Sequence, residues 1–174
     1  MAGETQEAVF RRWLEEHGAI VLKVARAYTF TAEDREDLTQ EILLQVWRSI
    51  PRFEGRAGAS TWVYRVALNT ALGWHRKEGL RRSRHLPLLE PEELPGGGPD
   101  SARQTDQREV VAQLYGAIRR LPKADAALVL LYLDDLSYRE ISEVLGISEN
   151  HVGVKLNRAK KALGDLMKEV PHES

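Results

Sequence analysis

Cysteine is absent from the 174 residues of the chain. That excludes disulfide scaffolding, thiolate catalysis and cysteine-based zinc or redox sites within it. Long hydrophobic runs are also missing. The longest, Ala126–Leu133, falls far short of the roughly 20 residues a membrane-spanning helix needs, so no membrane insertion is expected. The first residues, Met1 to Glu7, are acidic and place no apolar stretch behind a basic one, so they do not read as a signal peptide. With the missing cysteines, this fits a protein of the reducing cytoplasm. Net charge is nearly absent, at −1. The hydrophobic share of 43% and charged share of 29% are ordinary for a soluble globular chain and argue against wholesale disorder or a fibre. The length suits one ordinary domain or two small ones.

The near-zero charge conceals an alternation. Residues 1–41 carry −4, residues 42–85 carry +7, residues 86–154 carry −6 and residues 155–174 carry +2. Basic blocks suit a polyanion, while acidic blocks suit a basic partner or solvent. Residues 86–105 hold Pro87, Pro91, Pro95 and Pro99 together with Gly96, Gly97 and Gly98. Such a stretch disfavours helix and central strand alike and reads as an extended acidic linker. No Gly-Lys-Ser/Thr follows the glycines, so they form no phosphate loop.

Both flanking segments read as helical. Phe10, Trp13, Leu14, Val21, Val24, Ala25 and Tyr28 recur at helical spacing, with Gly18 as a break between two helices. Thr31 caps the next helix, whose stripe is Leu38, Ile42, Val46 and Trp47, and Pro51 ends it. Ser60 is placed to cap a helix running to about Lys77. Beyond the linker, Asp106 with Glu109 resembles the start of a helix, and Pro122 punctuates before the apolar Ala126–Leu133. Strand-period alternation is weak, so the expected class is all-α: two small helical domains joined by an extended linker.

Two places carry nucleic-acid chemistry. Ser137-Tyr138-Arg139-Glu140 spells a capping box, Gly146 suits a left-handed helix end, and Ser148 can cap the following helix. Two short helices around a glycine-bearing turn are the helix-turn-helix signature. In the second helix Val152, Leu156, Ala159, Leu163 and Leu166 share one side at 100° per residue. Asn150, Val154, Asn157, Arg158 and Lys161 lie opposite, flanked by His151 and Lys155. Asn pairs with adenine, Arg with guanine, and Val touches a thymine methyl, while lysines reach phosphates. A plain amphipathic surface helix would share this pattern; the capped helix and tight turn before it favour DNA.

The second place is the helix after Ser60. Trp62, Arg65, Asn69 and Arg76 share a face, followed by Lys77, Arg81, Arg82 and Arg84. Phe53 heads the flexible loop before it. Aromatics beside cations hold unstacked bases. Trp74 falls on the inward stripe with Val63, Val66, Ala67 and Thr70, and Trp62 and Phe53 are open between core and interface.

The motif Glu33-Asp34-Arg35-Glu36-Asp37-Leu38-Thr39-Gln40-Glu41, then Phe53-Glu54-Gly55, then Ser60-Thr61-Trp62-Val63-Tyr64-Arg65-Val66-Ala67-Leu68-Asn69 resembles region 2 of bacterial sigma factors. Leu121-Pro122 followed by Leu136-Ser137-Tyr138-Arg139-Glu140-Ile141 through Gly146-Ile147-Ser148 looks like region 4. The short length and the lack of other regions point to the extracytoplasmic-function group. The resemblance implies a region 2 domain at 1–85, a linker at 86–105 and a region 4 domain at 106–174. It implies that Asp37, Leu38, Gln40 and Glu41 grip the clamp coiled coil of core RNA polymerase. Phe53, Trp62, Arg65, Asn69 and Arg76 would read and melt the minus-ten element. Region 4 would dock on the polymerase flap and set Asn150, His151, Val154, Lys155, Asn157, Arg158 and Lys161 in the minus-thirty-five major groove. Promoter DNA, duplex and melted, and an anti-sigma factor clamping both domains complete the implied partners. Where many members have Gly-Thr-Val-Lys-Ser-Arg-Leu, this chain has Asn150-His151-Val152-Gly153-Val154-Lys155-Leu156, so the promoter sequence does not transfer.

Two other classes account for the residues less fully. A stand-alone helix-turn-helix regulator would bind duplex DNA by itself, usually as a dimer, and leaves the first domain unexplained. An enzyme would need more than Asp34, Asp37 and Glu41 on one helical face; no histidine partner or phosphate loop accompanies them. His17, His75, His85, His151 and His172 show no ligand spacing, so no metal, cofactor or catalytic residue is assigned.

Overall fold

The structure is a computed structural model that describes residues 3–84 and 102–169. Seven α-helices occupy these residues: α1 Gln6–Ala27, α2 Ala32–Ser49, α3 Ala59–Arg84, α4 Ala102–Arg120, α5 Lys123–Leu133, α6 Tyr138–Leu145 and α7 Glu149–Lys168. The interior of the expected linker, from 86 to 101, lies outside the described residues.

Local chemistry sets most boundaries. The Thr5 hydroxyl accepts the Ala8 amide at 3.2 Å, and the Thr31 hydroxyl accepts the Asp34 amide at 3.1 Å, each satisfying a donor that the helix leaves orphaned. Pro51 opens a single 3₁₀ turn, Ile50–Arg52, that closes α2. Ser137 and Glu140 form the full reciprocal capping box at the start of α6. Gly146 ends α6 at φ +69°, a conformation where a side chain would crowd the backbone.

Three local expectations give way. Gly18 does not break the first segment: α1 runs through it unbroken. A helical glycine costs about 1 kcal/mol against alanine. Buried Val9 and Trp13 before it and Ile20, Val21 and Val24 after it anchor both flanking turns, which outweighs that cost. The helix α3 starts one residue before Ser60, whose side chain is exposed; the Gly58 carbonyl accepts the Trp62 amide instead. It also continues past Lys77 to Arg84. The helix α4 begins at Ala102, so Asp106 and Glu109 sit inside it rather than at its start.

In the first half, α1, α2 and α3 pack on one another around Val24, Leu38, Ile42, Val46 and Leu68. In the second, α5 packs on α7, with α4 and α6 alongside. Ala126 to Leu131 are buried in succession, as an all-apolar sequence requires, while Tyr132 and Leu133 emerge at the helix end. The halves also meet. α3 touches α6, and α1 touches α4 and α5. One continuous apolar core runs from Trp13 and Tyr64 to Leu131 and Ile141.

Candidate nucleic-acid interface

The turn around Gly146 and the Ser148 cap, whose hydroxyl accepts the His151 amide at 3.2 Å, deliver α7 across the front of α6. Val152, Leu156 and Ala159 are wholly buried. Full burial of a Val or Leu contributes about 1.5–3 kcal/mol, enough to fix the roll of the helix. With that roll set, Asn150, His151, Val154, Lys155, Asn157, Arg158 and Lys161 are all exposed. The seven expected residues therefore share one outward surface of amides, cations and a single apolar contact. Lys160 turns back instead, its ammonium 4.4 Å from the Tyr132 ring centroid. Gly153 faces the Tyr138 ring, and a Cβ there would make an ordinary contact with it at 3.5 Å. Glu140 is held below the usual carboxylate range by hydrogen bonds from the Ser137 backbone and side chain, so the cap is ionised at neutral pH.

The first half is less open. Asn69 and Arg76 point outward from α3. Phe53 and Trp62 are half-buried in an aromatic cluster: the Phe53 ring stands edge-on to Trp13 at 5.0 Å and to Trp62 at 5.5 Å. The Trp62 indole N–H donates to the Ser49 hydroxyl at 2.9 Å. These two rings shape the loop before α3 and present only part of their surface. Arg65 is half-buried, and its guanidinium donates to the Glu143 backbone carbonyl at 2.6 Å.

Between α2 and α3 lies an open groove of about 720 Å³. Asp37, Gln40 and Glu41 line one wall and Asn69 the other, so two sets that the sequence assigned to different partners share one depression. Leu44, Gln45, Thr70, Gly73, Trp74 and Lys77 also line it; Trp74 packs against the core as its phase predicts while showing part of its ring to the groove, Lys77 is one of the cations expected after Arg76, and Leu44 and Gln45 carry no expectation from the sequence. Glu41 accepts a hydrogen bond from Gln45 at 2.8 Å. Leu38 is the exception among the four expected polymerase contacts. Its side chain is wholly buried under α1 and α3, so it holds α2 in place and offers a partner nothing directly.

Where the halves meet, three arginines from α1, α2 and α4 gather without forming an ion pair among the described residues. Arg26 stacks 4.4 Å over Tyr115, and Arg119 lies 6.0 Å over Phe30 and donates to the Arg26 carbonyl at 3.4 Å. The Arg35 Nε is buried and has no partner. Burial, and then the neighbouring positive charges, push the Arg35 and Arg119 pKa values down. Along the same seam, the Asp134 carboxylate accepts hydrogen bonds from Lys23 and from the Tyr64 hydroxyl. Burial works against the charge on Asp134, but those two hydrogen bonds and the Lys23 charge outweigh it and hold the carboxyl below its usual range. Burial, then Asp134, push the Tyr64 hydroxyl well above the ordinary tyrosine range, so it stays a donor.

Residues 13–81 match the family model for sigma-70 region 2, and residues 112–163 match that for sigma-70 region 4. The RpoE ECF RNA polymerase sigma factor of Cereibacter sphaeroides is 32% identical over 140 residues, covering 78% of this chain and 71% of its own. This chain belongs to the ECF group of sigma-70 RNA polymerase sigma factors. Such proteins are transcription initiation factors rather than catalysts. The ECF sigma factor SigE of Mycolicibacterium smegmatis is 28% identical over 165 residues, 92% of this chain but 63% of that longer protein. The sigma-E factor of Escherichia coli is 29% identical over 140 residues, 75% of this chain and 72% of its own. Two solved structures share the fold. RpoE of Bartonella quintana, in complex with the anti-sigma factor NepR, has a TM-score of 0.70 at 18% identity, covering 93% and 98% of the two chains. CnrH, in complex with the cytosolic domain of CnrY, has a TM-score of 0.65 at 19% identity, covering 98% and 94%. For this sigma factor, no described helix is long and apolar enough to cross a membrane.

Proposed function

We propose that this chain directs core RNA polymerase to a promoter, with residues 1–85 acting as region 2 and residues 106–174 as region 4. The carrying observation is the fixed roll of α7, which presents all seven expected contacts on one exposed face. Helix α7 enters the minus-thirty-five major groove. Arg158, Lys155 and Asn157 face base edges and phosphates, and Lys161 a phosphate. Asp37, Gln40 and Glu41 line an acidic groove wall suited to the clamp coiled coil, and the second half docks on the flap. Asn69 and Arg76 on α3 take unstacked minus-ten bases, beside a loop braced by Phe53 and Trp62. An anti-sigma factor is the fitting antagonist, since both structural neighbours were solved with a second protein bound. The cytoplasm is where such a subunit meets polymerase.

The test is co-elution with bacterial core RNA polymerase, with free protein and labelled duplex DNA run alongside. Co-elution together with weak DNA binding by the free chain is the expected result. Tight, specific DNA binding without polymerase association would instead identify an independent regulator and remove the roles of Asp37, Gln40 and Glu41.

A further inference from the structure

Arg26, Arg35 and Arg119 come from three different helices, α1, α2 and α4, and none of them has a part in the proposed contacts with DNA or polymerase. Apolar neighbours set where each stands. Arg26 sits between buried Ala25 and Ala27, and Arg119 follows buried Ala117 and Ile118. Arg35 lies one turn beyond the Thr31 cap, its amide donating to the Thr31 carbonyl at 3.1 Å. Packing therefore holds three guanidiniums together although each repels the others.

All three side chains are partly buried. No acid answers them among the described residues. Each guanidinium carries five N–H donors. The one hydrogen bond these side chains make among the described residues runs from Arg119 to the Arg26 carbonyl at 3.4 Å. Arg26 lies 4.4 Å over the Tyr115 ring and Arg119 6.0 Å over the Phe30 ring. A guanidinium held on a ring is engaged through its flat face, which leaves its in-plane donors available. The Arg35 Nε is buried and has no acceptor, a costly state for a charged donor. Burial and the other arginines' charges act on Arg35 and Arg119 in the same unfavourable sense. Lys123 adds a further cation, its ammonium 3.5 Å from the Arg119 carbonyl.

One kind of group reverses every one of these costs. It must carry more than one negative charge, offer several acceptor oxygens to forked donors and be small enough to reach a buried Nε. A carboxylate brings one charge and two oxygens. A phosphate of the DNA backbone brings one charge and stays on a duplex surface. A terminal phosphoryl group brings about −1.5 to −2 and three acceptor oxygens, and a diphosphate brings more of both. We propose that Arg26, Arg35 and Arg119 form a binding site for the diphosphate group of a small ligand, either inorganic or carried on a nucleotide. The site belongs to the chain alone and does not rest on the polymerase reading.

Thermal melts and calorimetric titration of the full-length chain with sodium pyrophosphate test it, with sodium chloride at matched ionic strength as the reference. At a concentration a hundredfold above its Kd, pyrophosphate should raise the Tm by about 5–10 °C. Arg35→Gln and Arg119→Lys should each weaken binding about tenfold, the second because an ammonium lacks the fork. Without the anion, Arg35→Gln should melt no lower than the native chain, since it removes a repulsion and an unpaired donor. An arginine that merely held the fold would lower the Tm instead. If Arg35→Gln loses helix by circular dichroism, Arg119→Lys decides. Exposed Arg120 lies beside Arg119 and pairs with Glu169, so Arg120→Gln should bind pyrophosphate as the native chain does. ADP separates the two sources: tighter binding than pyrophosphate assigns a nucleotide, equal or weaker binding the inorganic anion. A Tm shift no larger than chloride gives, binding kept by both Arg35→Gln and Arg119→Lys, or an equal loss in Arg120→Gln overturns the site.

Discussion

The two halves of this sigma factor expose their candidate contacts in different ways. In the second half all seven are outward, because the caps and turn that orient α7 are made by residues three or four positions apart. Among the expected DNA contacts of the first half only Asn69 and Arg76 stand free, while Phe53, Trp62 and Arg65 are held by residues from other elements. The second half builds its site from local rules. The first half builds its site from tertiary packing, so it responds to what the second half does.

The largest way to break that contrast is through the shared core. Leu131→Ala should cost about 2–5 kcal/mol, because its side chain is wholly buried on the α5 face where the halves converge. If the halves are one cooperative unit, tryptophan emission and helix content should melt together. Separate transitions would show two independent domains.

Next comes the local cap. Ser137→Ala should cost about 1 kcal/mol by removing the acceptor for the Glu140 amide. The loss should loosen α6 and weaken duplex binding while leaving the first-half groove intact, as chemical shifts would show.

Acid should act at the seam. The Asp134 carboxyl is held below its usual value of 3.8 by Lys23 on α1 and Tyr64 on α3, with Asp135 as its chain neighbour. A carboxyl depressed in the folded form adds stability above that usual value, and the contribution disappears as pH falls through the depressed one. This contribution to stability should therefore be flat across neutral pH and be lost only below about pH 4, read as the difference in melting temperature between the native chain and Asp134→Asn.

Two smaller effects sharpen the comparison. Lys161→Ala should weaken DNA binding at every sequence and reduce the salt slope by about 1. An unchanged slope would remove Lys161 from the phosphate contacts. Gly18→Ala should stabilise the first half by about 0.5–1 kcal/mol, since nothing lies within 4 Å of the added Cβ and α1 is helical there. A thermal melt checks it.

What was legible in the sequence follows the same division. Thr31, Ser137, Gly146 and Ser148 act on amides within a turn of themselves, so their types and spacing sufficed. The alternation of Val152, Leu156 and Ala159 with polar residues fixed which face of α7 turns outward. Gly18 sits inside a continuous α1 because a glycine signals a break only when neither flanking turn is anchored. Asp106 and Glu109 matched a start motif, but the helix already begins at Ala102. The bond from Tyr64 to Asp134 spans 70 positions, and no pattern along the chain announces it. Leu38 belongs both to the apolar stripe of α2 and to the motif of polymerase contacts, and its full burial decides for the stripe.

The edge-on rings of Trp13, Phe53 and Trp62 have an optical consequence. All four tryptophans of the chain, Trp13, Trp47, Trp62 and Trp74, precede the linker, whereas Tyr115, Tyr132 and Tyr138 follow it. Tryptophan emission thus reports the first half alone. Excitation passed from the later tyrosines to those indoles reports how near the second half lies. The unlabelled protein carries its own gauge of separation, and that signal should dim as the halves part.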